Sequence, residues 1–373
     1  MSNFSIVVPI YYGEKYIPGI IRQIEACKVH MSSRDYFEIL FVNDAPNAPI
    51  NTEWNSKTID IVVINSDKNI GIHGTRLRGL AQSKGEYILF LDQDDLIKEN
   101  YFQSQMQKLG EADAVVCKAL NGGKSVYVND KYFINIPNKK FVLKEWNLIV
   151  SPGQVLLKRN SIPDTWIKNV IKNNGADDWF LWICMYAEKC KFSLNEEILY
   201  EHVLQNSNMS EDITSMLRSE QEVQHIIQEK EILSNYDFKL FLEGFDKRNL
   251  TRTKELYLAK KKLDIIDKWR KLKKRDIKFL NNLFHIEIQT IAIYGCGILG
   301  EFLYDELKTI KDIEYFIDIN AQYIQEEIPV YTLSEQLPDI DSVIITLVEG
   351  GEDVKRELED RKFKNIIILK DWL

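Results

Sequence analysis

The sequence predicts an α/β protein made of two strand–helix alternating regions joined by a helix-permissive stretch. Three observations carry that prediction. Short β-branched runs alternate with amphipathic stretches over the first third of the 373 residues. The same alternation resumes after residue 285, and between about 211 and 284 almost every residue tolerates a helix and none is proline. Strands alternating with helices imply a mostly parallel sheet covered on both faces, with ligands bound beyond the carboxyl ends of the strands.

Each element follows from its own pattern. Residues 4–10, 37–42, 59–64 and 87–91 are apolar, β-branched runs of strand length, and residues 16–28, 75–83 and 98–109 carry helical periodicity. From 122 to 152 the pattern is irregular, and Val126, Val128, Phe133 and Phe141 suggest short antiparallel pieces. A helix starts near Asp178 and is apolar nearly all round through residue 186, so it should be buried. Residues 254–278 hold 11 basic side chains against four acidic ones, a local charge of +7. That reads first as a solvated connecting helix. The second reading is a peripheral helix on anionic lipid, with Leu263, Ile266, Trp269 and Leu272 as its apolar side. After residue 285, the run 291–294 leads into Gly295-Cys296-Gly297-Ile298-Leu299-Gly300 and a helix, and 315–318, 343–347 and 365–369 read as further strands.

Composition narrows the function. With 45% apolar and 28% charged residues the chain is neither disordered, collagen-like nor a disulfide miniprotein. Its length suggests two or three domains at roughly 100–200 residues each. Forty-eight basic against 56 acidic side chains give −8, the wrong sign for a nucleic-acid partner. The five cysteines are scattered without a CxxC pair, which reads as reduced thiols in a cytosol. No apolar run reaches the ~18 residues of a membrane helix. The start also lacks the basic region and cleavage site of a signal peptide, so the expected location is cytoplasmic.

The candidate chemistry begins at Asp92-Gln93-Asp94-Asp95, directly after the strand at 87–91. Carboxylates at a strand end can hold Mg²⁺ or Mn²⁺, which take one or two carboxylates plus phosphate oxygens. The plainer reading is an acidic turn with Asp95 capping the next helix. Ahead of this run, in order, stand Ile6-Val7-Val8-Pro9-Ile10-Tyr11, Phe41-Val42-Asn43-Asp44, Asn69-Ile70-Gly71 with Thr75-Arg76-Leu77-Arg78-Gly79, and Lys84-Gly85-Glu86-Tyr87. Together these segments resemble the nucleotide-binding half of the family 2 glycosyltransferases of GT-A fold, a Rossmann-like nucleotide-sugar-binding architecture. The resemblance implies that Pro9 and Tyr11 line the base pocket, that Asp44 contacts the uracil or ribose, and that Arg76 lies near the nucleotide. It also implies that Asp92 faces the ribose side while Asp94 coordinates the Mn²⁺ or Mg²⁺ bridging the diphosphate. Tyr12 and Leu77 stand where the family usually has Asn, and Asn43-Asp44-Ala45 where it has Asp-Asp-Gly.

Further along, Gly175-Ala176-Asp177-Asp178-Trp179-Phe180-Leu181-Trp182 resembles the family's E-D-W-x-L-W segment, whose second acid is the catalytic base; Asp178 takes that place. An inverting transfer needs such a carboxylate to accept the proton of the attacking hydroxyl. Asp177 also suits an N-cap, and both acids favour a helix start. Tyr200-Glu201-His202 with Asn206-Ser207-Asn208-Met209-Ser210 is similar to the family's Y-R-x-H-x-x-x-x-S ending, which implies that His202 reaches the metal or diphosphate. His73 reads as a loop residue, and Trp146, Trp166, Trp179 and Trp182 mostly as core. Gly295-x-Gly297-x-x-Gly300, with Asp318 eighteen residues past the last glycine, fits the dinucleotide fingerprint. It is read as a scaffolding, dimerising or ligand-sensing module rather than an oxidoreductase.

The expectation is a metal-dependent inverting glycosyltransferase with a UDP-sugar donor and a glycan or glycoconjugate acceptor. It would comprise a GT-A catalytic domain over 1–210, a helical linker over 211–285 and a small Rossmann-like α/β domain over 286–373, the last a candidate homo-oligomer interface. Two rivals stand beside it. Gly74-Thr75-Arg76-Leu77 echoes the loop of sugar-phosphate nucleotidylyltransferases. The tail would also suit a non-catalytic nucleotide-sugar sensor or assembly module.

Overall fold

The first strand, β1 (Asn3–Ile10), alternates its side chains between two faces of a sheet. In this computed structural model, which describes residues 2–145, 147–203, 213–275, 288–324 and 326–373, the chain divides into two compact units, Met1–Arg252 and Thr253–Leu373.

In the first unit, β1 is followed by α1 (Ile17–Val29), β2 (Tyr36–Asn43), β3 (Asp60–Asn65), α2 (Gly71–Gln82) and β4 (Tyr87–Phe90). The four strands run parallel in the order β3-β2-β1-β4. Phe4, Ile6, Val8 and Ile10 face Ile17, Ile20 and Ile24 of α1. Val7 joins Leu40, Val42 and Ile64 on the opposite face with Leu80 of α2. Both faces are covered, which is why these strands read as continuous apolar runs. Ser5 and Glu38 are polar yet buried within these strands, and Ser5 Oγ donates to Glu38 at 2.6 Å.

Past β4 the sheet becomes mixed. It gains β5 (Leu96–Ile97), β6 (Ala114–Asn121), β7 (Lys124–Ser125), β8 (Val155–Lys158) and β9 (Phe192–His202). β8 lies antiparallel between β4 and β6, and β9 runs parallel to β6. α3 (Tyr101–Leu109) follows β5. The irregular stretch after β7 differs from expectation, because Phe133 and Phe141 lie on two short helices, α4 (Asp130–Ile134) and α5 (Lys139–Lys144). Asn129 and Asn138 start these helices by accepting the amides of Lys131 and Phe141. α6 (Asp164–Lys168) and α7 (Asp177–Ala187) complete the face that buries Trp166 and Trp182; Trp146 lies outside the described residues.

The expected linker does not simply space two domains. α8 (Ile213–Glu229) and the start of α9 (Asn235–Arg275) place Val223, Ile227, Leu240 and Phe241 in the same core as α7.

In the second unit five parallel strands, β10 (Thr290–Tyr294), β11 (Asp312–Ile317), β12 (Val330–Tyr331), β13 (Ser342–Ile345) and β14 (Ile366–Ile368), are ordered β12-β11-β10-β13-β14. They carry α10 (Ile298–Leu307) and α11 (Gly351–Asp360). The lipid-facing reading of the basic segment needs correction here. Trp269 is 0% exposed in the core of this unit, and Ile266 packs beside it. The indole Nε1 of Trp269 donates to Glu306 at 2.9 Å. Apolar side chains proposed for lipid are thus used for folding, while Leu263 stays exposed. Lys268 and Lys271 pair with Asp264 and Asp267 one turn earlier, and residues 276–278 of the segment lie outside the described residues. Among the described residues no helix is long and apolar enough to cross a membrane.

Candidate active site

Because β1 lies between β2 and β4, the chain leaves it to one side while α2 feeds the strand on the other, and a crevice opens at the carboxyl ends of β1 and β4. The residues beyond those ends meet. The Tyr11 amide donates to Gln93 Oε1 at 3.0 Å, and Gln93 Nε2 donates back to the Tyr11 carbonyl at 3.4 Å. Pro9 is buried in β1, whereas Tyr11 is 53% exposed at the rim.

Asp44, just past β2, accepts the amides of Ile70 at 2.7 Å and Gly71 at 2.9 Å. Burial pushes its carboxyl up, and these two amides pull it back. An acid at this point stabilises the start of α2, so α2 begins at Gly71 rather than near residue 75. His73 is therefore helical and not in a loop. Its Nδ1 accepts the Ile171 amide at 3.0 Å, and its ring lies 4.5 Å from that of Trp166. Gly74-Thr75-Arg76-Leu77 is helical too, with Thr75 Oγ1 donating to the Gly71 carbonyl at 2.7 Å, so it forms no phosphate-cradling loop.

Arg76, one turn along α2, is 3% exposed. Its guanidinium bridges Asp92 at 2.6 Å and Asp177 at 2.5 Å. Burial alone would lower its pKa, but Asp177, Asp92 and Asp178 hold it above the ordinary arginine value. The other oxygen of Asp92 accepts Ser151 Oγ at 3.3 Å.

Asp177 is the first residue of α7, with Ala176 as N-cap, and its backbone carbonyl accepts Trp166 Nε1 at 2.8 Å. Asp178 is half-buried, and its Oδ1 accepts the Trp179 amide at 2.6 Å. Burial, then the neighbouring Asp177 charge, pushes the Asp178 carboxyl up to about 7, with Arg76 opposing. Adjacent acids are thus pushed apart in role. One is neutralised by a cation, and the other is left with a proton affinity suited to general-base work near neutrality.

Asp95 does not cap the next helix. It accepts the Tyr200 hydroxyl, His202 Nδ1 at 3.0 Å and the Val203 amide at 3.1 Å. This carboxylate orients the imidazole in the manner usual around metal-binding histidines. Asp94 is half-buried, and burial, then Asp95 and Asp92, pushes its carboxyl up to about 6. Among the described residues no group of three or more His, Cys, Asp or Glu is placed to hold a metal. Asp92 and Asp95 are engaged by Arg76 and Tyr200, so Asp94 and His202 are the candidates. Such a pair fits Mg²⁺ or Mn²⁺ completed by a donor's phosphates, and does not fit a stand-alone protein cage. The Ser210 end of the matching motif lies outside the described residues.

In the second unit Gly295 has φ +98°, and a Cβ on Gly300 would meet the Gly295 carbonyl oxygen at 1.9 Å. The first and third glycines therefore serve the turn and the close strand–helix packing. Asp318 does not stand open toward a ribose, because it accepts the amides of Cys296 at 2.9 Å and Asn320 at 2.8 Å.

Sequence reasoning did not single out Ser151 and Gln93 as parts of the site or Asp177 as the arginine's partner. Of these, only Gln93 carried a signal, since it stands between Asp92 and Asp94.

Residues 5–166 match the family described as Glycosyl transferase family 2. Glycosyltransferase GlyG of Streptococcus pneumoniae serotype 4 is 31% identical over 117 residues, covering 30% of this chain and 36% of GlyG. Minor teichoic acid biosynthesis protein GgaB of Bacillus subtilis (strain 168) is 30% identical over 112 residues, covering 29% of this chain and 12% of GgaB. The matches span about a third of the length of the first curated relatives. Among solved structures, S. aureus TarS 1-349 in complex with UDP-GlcNAc aligns with a TM-score of 0.48 at 17% identity, covering 64% of this chain and 71% of that one.

Proposed function

Because residues 5–166 make the chain a member of glycosyl transferase family 2, we propose that it is a metal-dependent inverting glycosyltransferase acting in bacterial cell-surface polysaccharide synthesis. The donor is a nucleoside-diphosphate sugar, UDP-linked by the resemblance of residues 4–95, and the acceptor is a hydroxyl of a glycan or glycoconjugate. The printed functions of GlyG and GgaB support the sugar-transfer class and the cell-surface setting.

The observation that carries the reading is the Arg76 bridge. One buried guanidinium ties Asp92, at the donor-side strand end, to Asp177, the residue before Asp178. The Arg76–Asp177 arm of the bridge spans 101 residues of sequence and links the donor side to the residue beside the base. Asp178 takes the proton of the acceptor hydroxyl as its oxygen attacks the anomeric carbon. The bond to the departing diphosphate breaks on the opposite side, and its electron pair leaves with the nucleotide. Asp94 and His202 would hold Mn²⁺ or Mg²⁺ together with the donor's phosphates, and the ion would supply positive charge to offset the leaving diphosphate. Tyr11, exposed at the rim, flanks the nucleobase and Asp92 lies toward the ribose, whereas Pro9 is buried in β1 and both oxygens of Asp44 are taken by the Ile70 and Gly71 amides.

The test is product identity. Incubation with UDP-sugars and Mn²⁺ should release UDP, and excess EDTA should abolish release. Pyrophosphate from a nucleoside triphosphate and sugar phosphate would support the nucleotidylyltransferase instead, and undiminished turnover in EDTA would remove Asp94 from its role.

A further inference from the structure

We propose that Arg248, on α9, is a positioning residue of the site, fixing Asp178 through Trp179 and supplying the second cation, after Arg76, that faces the acid pair. This rests on Asp178 being the base, and the experiment below separates the two claims. The guanidinium carbon of Arg248 lies 4.1 Å from the centroid of the Trp179 ring. Phe241, two turns earlier on the same helix, stacks on that ring at 5.5 Å. α9 therefore grips Trp179 with both residues, and the Trp179 amide is the group that holds Asp178 Oδ1 at 2.6 Å.

Arg248 is 2% exposed, and its charge is balanced by Glu220 of α8, also 2% exposed, at 3.5 Å. Arg252 reaches the same carboxylate at 3.6 Å. Only a planar guanidinium can stack on the indole and pair at its edge together, and a desolvated cation over tryptophan is a strong contact. Among the described residues, Asp177 on its own helix, Arg76 from α2 and Asp92 from the end of β4 act on Asp178, and Arg248 from α9 interacts with it electrostatically. Burial draws Arg248 down to about 10, with Glu220 and then Asp178 among the groups that resist the change. Residues beyond 210, read from sequence as linker, thus reach Trp179, the residue next to Asp178.

The test is a ¹³C-carboxyl NMR titration of the aspartate-labelled full chain, with the Asp178 resonance assigned by its loss in Asp178→Asn. Arg248→Met should raise the Asp178 midpoint by about half a unit to one unit. Glu220→Gln removes the carboxylate paired with Arg248 and should lower the midpoint. Arg248→Lys, which keeps the charge, should restore most of the shift. Opposite displacements in the Met and Gln variants are not expected from packing damage alone. If Arg248→Met does not fold, the downward shift in Glu220→Gln decides the matter. Midpoints unchanged from wild type in the folded variants overturn the proposal. Transfer activity retained in Asp178→Asn would defeat the base assignment without touching these midpoints.

Discussion

Arg76 is a guanidinium withdrawn from water and shared between Asp92 and Asp177. Arg76→Met leaves two carboxylates facing each other without their cation, and the cost should be about 3–5 kcal/mol in a denaturant melt. Arg76→Lys, a point charge that cannot serve both acids at once, should lose less. His73 gives a pH signature. It is buried neutral, with burial first among the causes that lower its pKa to about 4, against an unfolded value of 6.5. The unfolded chain therefore takes up this proton first. The contribution is complete above about pH 6.5 and is lost as pH falls toward 4, about 3 kcal/mol over the window. His73→Asn, whose amide oxygen can still accept the Ile171 hydrogen, should flatten that part of the stability-against-pH curve. An equal acid slope in wild type and variant would refute it.

Residue identity alone could not apportion these roles. Arg76, Asp92, Asp94 and Asp178 stand at motif positions, so their presence was legible. The division of labour was not, because Asp44 is committed to Ile70 and Gly71, and Asp95 to Tyr200 and His202, by partners from distant segments.

At the scale of elements, β1 to β4 were legible to within about one residue because apolar, β-branched residues dominate each run, with Ser5, Glu38 and Asp60 as the interruptions. α4 and α5 were missed since five- and six-residue helices carry too few turns for periodicity; the Asn caps were the available signal. α2 was placed late because its start is fixed by Asp44, 27 residues away in sequence from Gly71. The glycines of the second unit yield a paired prediction. Gly300→Ala drives a Cβ to 1.9 Å from the Gly295 carbonyl, a backbone atom that cannot step aside, whereas Gly297 has nothing within 4 Å. Gly300→Ala should therefore cost about 1–3 kcal/mol or more, and Gly297→Ala should melt close to wild type. Equal melting temperatures would contradict the packing role of the third glycine.

For the whole molecule, the −8 charge acquires a location. Asp44, Asp92, Asp94, Asp95, Asp177 and Asp178 are distributed over strand ends and one helix start, held by two backbone amides, a buried arginine and a histidine. The +7 segment is partly spent on ion pairs along its own helix and on Glu306. Domain boundaries were least legible, because α8 and α9 are uniformly helix-permissive and only packing tells which of their residues enter a core. In the proposed mechanism Asp178 accepts the proton while the donor is held elsewhere. Its most direct measurement pairs calorimetric UDP binding in Mn²⁺ with sugar-transfer turnover for Asp178→Asn. The expected result is a Kd for UDP within about twofold of wild type and turnover down by about 10²–10⁴. Turnover at the wild-type rate would contradict it.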